Sequence, residues 1–132
     1  MLGNKILVVD DDPDIVTYLT SFLEDNGYVV DSANDASSAQ AAIERFQPDA
    51  ILIDVLMPGR SGLDLLVNIR SDTRWSNLPV VVVTGHDKIL QDDCKSYFGL
   101  HGVRGPDAVL GKPVDRATLL NMLKGLPGST EI

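Results

Sequence analysis

The sequence predicts an α/β domain built on a parallel sheet covered by helices on both faces. Three observations carry this. First, there are short uninterrupted apolar runs at Ile6-Leu7-Val8-Val9, Ala50-Ile51-Leu52-Ile53, Val80-Val81-Val82-Val83 and Val109-Leu110-Gly111. Runs of this length bounded by polar residues are the pattern of strands buried on both faces. Second, the segments between them carry apolar residues at helical spacing. Third, the runs stop at Asp10-Asp11-Asp12, Asp54, Thr84 and Lys112-Pro113 respectively. In an open parallel sheet the ligand site lies just beyond the carboxyl ends of the strands, so one edge would gather several carboxylates, a hydroxyl and an ammonium.

Taken in order, the first strand is Ile6 to Val9. Pro13 suits the first turn of a helix, and Ile15, Leu19, Phe22 and Leu23 fall at i, i+4, i+7 and i+8 along it. Asn26-Gly27 stops that helix. Tyr28-Val29-Val30 is the second strand, and Ala39, Ala42, Ile43 and Phe46 form the stripe of a second helix that Gln47-Pro48 ends. After the Ala50 to Ile53 strand, Leu63, Leu66 and Ile69 mark a third helix, followed by a polar loop through Asp72, Asn77 and Pro79. Beyond the valine strand, residues 88–100 are the least periodic helical candidate. Val109 to Gly111 is the fifth strand, and Leu119, Leu120, Leu123 and Leu126 give a last helix with Asp115 as its N-cap. Five strands alternating with five helices and joined by right-handed crossovers make a doubly wound three-layer α/β/α sandwich. The flavodoxin-like strand order 2-1-3-4-5 sets strands one and three side by side, so that Asp10, Asp11 and Asp54 meet where the winding reverses. The domain is expected to take in residues 1–126. Residues 127–132, with Pro127, Gly128 and Ser129, read as a tail or the start of a linker.

At 132 residues the chain fits one domain. Eleven basic residues against nineteen acidic ones leave a net charge of -8, and the basic residues are scattered. Direct nucleic-acid binding is disfavoured, because a phosphate backbone needs a positive face. The single cysteine, Cys94, forms no internal disulfide, which suits a reducing compartment. No segment resembles a signal peptide and no apolar run approaches membrane-spanning length. A cytoplasmic domain with no membrane association is the expectation.

Three carboxylates held close together repel one another, and a hard divalent cation with oxygen ligands relieves that repulsion. Mg²⁺ is the natural cation, since it binds through one or two carboxylates plus water and phosphate. A phosphoryl group could then approach Asp54, whose carboxylate could attack phosphorus and form an aspartyl phosphate. Lys112 would pair with the negative charge, the Thr84 hydroxyl would hydrogen-bond a phosphoryl oxygen, and the small Gly85 would leave room for the group. Each residue also has a plainer reading. Asp10 to Asp12 could cap the first helix, and Asp54 could be a turn residue before Pro58. Thr84 and Lys112 gain significance only as part of the constellation.

The pieces Ile6-Leu7-Val8-Val9-Asp10-Asp11, Asp54-Val55-Leu56-Met57-Pro58-Gly59 with Gly62, Pro79 to Thr84-Gly85, and Lys112-Pro113 occur in order at strand ends. In these the chain resembles a receiver domain of the two-component response-regulator family, from Lys5 to about Leu126. The resemblance implies that Asp54 is the phosphoacceptor, taking phosphate from a histidine kinase or a histidine phosphotransfer protein. It implies that Asp11 binds Mg²⁺ directly and Asp10 through water, with Asp54 and the Leu56 backbone carbonyl as further ligands. Thr84 and Lys112 match the switch hydroxyl and the phosphate-pairing lysine, and the Lys112-Pro113 peptide is expected to be cis. A downstream effector domain or protein is the implied output, with phosphorylation-dependent dimerisation as a further expectation. The chain would not be an enzyme, beyond slow hydrolysis of its own aspartyl phosphate.

Three features depart from the family pattern. Val109 stands where the family usually has Tyr or Phe, so the coupled rotation of an aromatic ring with the Thr84 hydroxyl is not available. From Thr84 to Lys112 the interval is 28 residues, several more than usual, with the excess around Tyr97 to Pro106. Asp12 extends the acidic pair to a triplet and is expected to be peripheral.

Other motifs carry less. The glycine-rich stretch from Gly99 to Gly105 lacks the Gly-Lys-Ser/Thr ending of a phosphate loop and reads as a connection. His86 would lie either against the phosphoryl site, tuning hydrolysis, or in a solvated loop. His101, Cys94 and Trp75 form no ligand cluster and read as packing or surface residues. Flavin mononucleotide would want hydroxyls and amides after the first strand, where this chain has carboxylates. A haloacid-dehalogenase-type phosphatase would want a second Asp where this chain has Leu56. The remaining rivals are a degenerate receiver that docks partners without phosphorylation, and the receiver part of a hybrid histidine kinase.

Overall fold

The computed structural model describes residues 4–54, 62–84, 102, 107–111 and 114–125, with Gly62, Leu63 and Thr84 described by backbone only. In order these form β1 (Lys5–Val9), α1 (Pro13–Asp25), β2 (Val29–Ala33), α2 (Ala36–Phe46), β3 (Ala50–Asp54), α3 (Gly62–Ser71), β4 (Val80–Thr84), β5 (Ala108–Gly111) and α4 (Arg116–Lys124). The strands make one sheet of order β2-β1-β3-β4-β5, every pair parallel. This is the doubly wound α/β/α sandwich expected from the alternating runs. The helix expected over residues 88–100 and the tail 127–132 lie outside the described residues.

Period-two alternation along the strands sorts their side chains into two cores. Leu7, Val9, Ile51, Ile53, Val80 and Val82 face α2 and α3, where Ala39, Ala42, Ile43, Leu65, Leu66 and Ile69 cover them. Ile6, Val8, Ala50, Leu52, Val81, Val83 and Leu110 face the other way, against Leu19 and Leu23 of α1 and Leu119 and Leu123 of α4. The central strands are therefore sealed on both faces, which is why they read as continuous apolar runs.

The edge strand β2 departs further from expectation. β2 runs from Val29 to Ala33 rather than over residues 28–30, and its alternation is poor, with Val29 half exposed at 51 %. An edge strand has a partner on one side only, so polar Asp31 and Ser32 are tolerated there and no apolar run marks it. Among the described side chains of α3 the buried apolar ones are Leu65, Leu66 and Ile69, with Arg70 buried beside them, so Leu65 joins the expected stripe. Trp75 packs against the α2–α3 core.

Turn and cap chemistry follows the sequence. Gly27 takes φ +89° after α1, and Gln47 takes a left-handed φ of 52° to end α2, where the geometry favours glycine or asparagine. Each of α1, α2 and α4 begins with an aspartate N-cap: Asp12 accepts from the Asp14 N–H, Asp35 from the Ser38 N–H and Asp115 from the Thr118 N–H. Among the described residues no helix is long and apolar enough to cross a membrane.

The caps make a pH-dependent contribution. The Ser38 N–H holds the Asp35 carboxyl below its ordinary value, and the Thr118 hydroxyl and N–H do the same for Asp115. A carboxyl lowered in the folded state contributes stability that is complete above its unfolded pKa of about 3.9 and is lost as pH falls through the folded value. Asp35→Asn, which keeps an acceptor but cannot titrate, should lose less stability than wild type when urea unfolding is compared at pH 5 and pH 3. Equal losses would show that the cap carboxylate is not coupled to folding.

Candidate functional site

The site forms because β1 and β3 are neighbours in register, with Val9 beside Ile53. The residue after Val9 is Asp10, and Asp54 is the last residue of β3. Both leave a sealed strand at its carboxyl end, and neither has reached open solvent: Asp10 is 2 % and Asp54 6 % exposed. Asp11 follows at the start of the turn into α1 and is exposed. One carboxylate oxygen from each of Asp10, Asp11 and Asp54 lies within 4.8 Å of the others.

Local hydrogen bonds fix this arrangement. The Asp10 N–H donates to the Ala33 carbonyl at 3.1 Å, continuing the β1–β2 ladder by one step. Its Oδ1 accepts from the Asp12 N–H at 3.0 Å, closing the turn that sends Asp11 outward. Asp12 turns its own carboxylate to the Asp14 N–H at 2.9 Å. The triplet is thus divided: Asp10 and Asp11 belong to the carboxylate cluster, and Asp12 caps the helix. The cap reading and the site reading hold together, on different residues.

Thr84 ends β4, whose Val83 pairs with Asp54 and whose Thr84 pairs with Gly111 of β5. The chain after Gly111 is Lys112. β4 and β5 therefore end level with one another, one residue beyond the end of β3. Leu56, Gly85, His86, Lys112 and Pro113 lie outside the described residues. Val109 is half buried, pairs with Val82 and packs against the α2–α3 core. A small aliphatic side chain held in that packing occupies the position where an aromatic ring was expected in the family.

An open cleft of about 590 Å³ adjoins the carboxylates on the β2 side, lined among others by Thr17, Ser32, Asn34 and Ser38. These hydroxyls and this amide were not singled out from the sequence. They come from α1, the end of β2, the turn after it and the start of α2, and no local pattern links them. The β2 boundary was the missing information.

The donor set fits a hard divalent cation. It consists of carboxylate oxygens alone, close enough to share one ion, with two of the three carboxylates buried among apolar strand residues. When ionised, two unit charges at 4.8 Å repel by about 1 kcal/mol in water and roughly 3–4 kcal/mol at the effective dielectric of a protein surface. Oxygen-only ligation of this kind suits Mg²⁺ or Ca²⁺ rather than a soft metal.

Comparison with known proteins agrees with this geometry. The profile of the response regulator receiver domain matches residues 6–124, and the chain belongs to that family. It is 34 % identical over 122 residues to the protein PilH of Pseudomonas aeruginosa, covering 92 % of this chain and 96 % of PilH. It is 32 % identical to the DNA-binding regulator RpaA of Synechocystis, where 96 % of this chain matches 50 % of the longer protein. The chain thus spans nearly all of PilH and about half of RpaA. Among solved structures, the chemotaxis protein CheY4 of Vibrio cholerae superposes with a TM-score of 0.81 at 27 % identity, over 94 % of this chain and 98 % of that one. The receiver domain of a sensor histidine kinase from Pseudomonas aeruginosa, solved with a magnesium ion coordinated in its active-site cleft, superposes with a TM-score of 0.80 at 31 % identity, over 96 % of this chain and 99 % of that one. The chain is a phospho-accepting receiver domain, whose role is signalling rather than metabolic catalysis.

The division of the aspartate triplet predicts opposite signs on stability. In metal-free buffer containing a chelator, Asp11→Asn should raise unfolding free energy by on the order of 1 kcal/mol, because it removes a charge from the cluster. Asp12→Ala should lower it by about 1 kcal/mol through loss of the cap. Chemical denaturation of both variants measures this, and a shared sign would contradict the division.

Proposed function

We propose that Asp54 is the residue that takes the phosphoryl group, in a site held together by Mg²⁺. The observation that carries this reading is the convergence of Asp10, Asp11 and Asp54 at the carboxyl ends of β1 and β3, with Asp54 the last residue of a sealed strand. Asp11, Asp54 and the Leu56 backbone carbonyl would hold the cation directly, and Asp10 through water. Bound there, Mg²⁺ supplies positive charge that offsets the carboxylates and the incoming phosphoryl oxygens.

The protein's own chemistry is a displacement at phosphorus. An Asp54 carboxylate oxygen forms a bond to phosphorus as the bond from phosphorus to the donor breaks, and the donor leaves with the electron pair. With a phosphohistidine donor the departing imidazole takes up a proton. Lys112, one residue beyond the Gly111–Thr84 pair, neutralises charge on the transferred group, and the Thr84 hydroxyl donates to one of its oxygens. Gly85 leaves space for the group and His86 borders it. Pro113, after Lys112, is proposed to follow a cis peptide bond. Slow hydrolysis of the aspartyl phosphate returns the domain to its starting state.

The phosphodonor is a sensor histidine kinase or a histidine phosphotransfer protein, and the reaction is proposed to take place in the cytoplasm. The receiver unit comprises residues 1–126, with 127–132 a tail or the start of a linker. Output runs to an effector domain or protein, or through phosphorylation-dependent dimerisation. Because Val109 is fixed in the α2–α3 packing, the switch relies on Thr84 drawing toward the phosphoryl group and biasing the segment that follows β4, without an aromatic rotor.

Intact-protein mass after incubation with acetyl phosphate tests the reading. A phosphate-sized gain is expected in wild type with Mg²⁺, with none in Asp54→Asn or in the presence of a chelator. A gain that survives Asp54→Asn, or no gain in wild type, would overturn the assignment. Lys112→Ala should abolish the phosphorylation dependence of partner binding, and partner binding that still responded would refute the coupling.

A further inference from the structure

At the end of the sheet opposite the carboxylates, two charged side chains are buried together. The Arg70 guanidinium on α3 and the Asp107 carboxylate, one residue before β5, are 1 % and 9 % exposed and stand 3.1 Å apart. Arg70 also donates to the backbone carbonyls of Ser76, at 3.3 Å, and Leu78. Asp107 makes a reciprocal pair with the first residue of β4: its N–H donates to the Val80 carbonyl at 2.8 Å, and its Oδ2 accepts from the Val80 N–H at 2.8 Å. The pair therefore ties α3, the loop into β4, β4 and β5 to one another.

Its position gives it a specific task. β5 is four residues long, is paired on one side only, and contributes a single buried side chain, Leu110. Hydrophobic pattern therefore specifies its register weakly. Residues 85–107 separate it from β4, and closing a longer connection leaves the strand less constrained by the chain itself. A slip of one residue would place Pro106 or Ala108 opposite Val80. Proline has no N–H for the Val80 carbonyl, and alanine has no acceptor for the Val80 N–H. Only Asp107 satisfies both groups and Arg70 at once.

Register at this end fixes geometry at the other. With Asp107 opposite Val80, the ladder runs Ala108 to Val81, Val109 to Val82, Leu110 to Val83 and Gly111 to Thr84, and Lys112 is the next residue in the chain. A one-residue slip would displace it by about 3.3 Å and turn its side chain to the other face. We propose that the buried Arg70–Asp107 pair is the register lock of β5 and so the positioning element for Lys112, acting from roughly 16 Å away along the strand. This rests on the reading of Lys112 as the residue that pairs with the phosphoryl group.

The test is a double-mutant cycle in the full chain, with initial phosphorylation rate by acetyl phosphate and Mg²⁺ as one readout and amide hydrogen exchange of β5 as the other. Asp107→Ala should slow phosphorylation by roughly tenfold to a hundredfold, the scale of an ångström-sized misplacement. It should speed exchange at Val109 and Leu110, and leave Mg²⁺ affinity within about twofold, since β1 and β3 carry the side-chain ligands. In the Lys112→Ala background the same change should add no further slowing. An equal slowing with and without Lys112 would show a merely structural role and overturn the proposal. Unchanged exchange in β5 would overturn it too. Should Asp107→Ala fail to fold, Asp107→Asn keeps an acceptor for Val80 and loses the ion pair; it should slow the reaction several-fold, again only when Lys112 is present, and a wild-type rate overturns the lock. If wild type itself takes no phosphate at Asp54, the proposed function fails, and the exchange data alone still decide whether Asp107 holds the register.

Discussion

Ile6 to Val9 and Ala50 to Ile53 are sealed on both faces of the sheet, so carboxylates are confined to the strand ends, and Asp10 and Asp54 take the carboxyl ends. That constraint organises the molecule. The two cores fix which strands are central, the strand order makes β1 and β3 neighbours, and their common register brings Asp10 and Asp54 to the same level. The turn closed by the Asp12 N–H on Asp10 then adds Asp11. Like charges are assembled by apolar packing, and the fit of the cluster to a divalent cation follows from that assembly rather than from any single residue.

The opposite end of the sheet obeys the same rule with a different solution. There a buried charge is tolerated because it is paired and hydrogen-bonded: Arg70 meets Asp107 and backbone carbonyls. Replacing one partner of such a pair typically leaves the other uncompensated, which is more damaging than the pair is stabilising. The two ends thus divide their labour. The carboxyl end gathers three carboxylates within reach of one another, and the amino end pairs Arg70 with Asp107 and holds the edge strand still.

Much of this was legible in the sequence, for an identifiable reason. A strand buried on both faces leaves an uninterrupted apolar run, and β1, β3 and β4 were readable together with the acids that end β1 and β3. β2 was misplaced because an edge strand tolerates Asp31 and Ser32, and with it went the cleft residues Ser32, Asn34 and Ser38. Asp12 stands outside the cluster, as expected, and its carboxylate caps α1, the other role the sequence allows it. The Arg70–Asp107 pair was invisible because its partners are 37 residues apart and each looks like an ordinary surface charge. Contacts made across the sandwich leave no local periodicity to read.

The central claim is that the three aspartates form a cation site whose occupancy prepares Asp54 for phosphorus. A crystal structure of the protein grown with Mg²⁺ tests it most directly. The account predicts one ion in octahedral oxygen coordination, with carboxylate oxygens of Asp11 and Asp54 at about 2.0–2.1 Å and Asp10 reached through a water. An ion bound elsewhere, or a cluster that stays free of metal at saturating Mg²⁺, would contradict it.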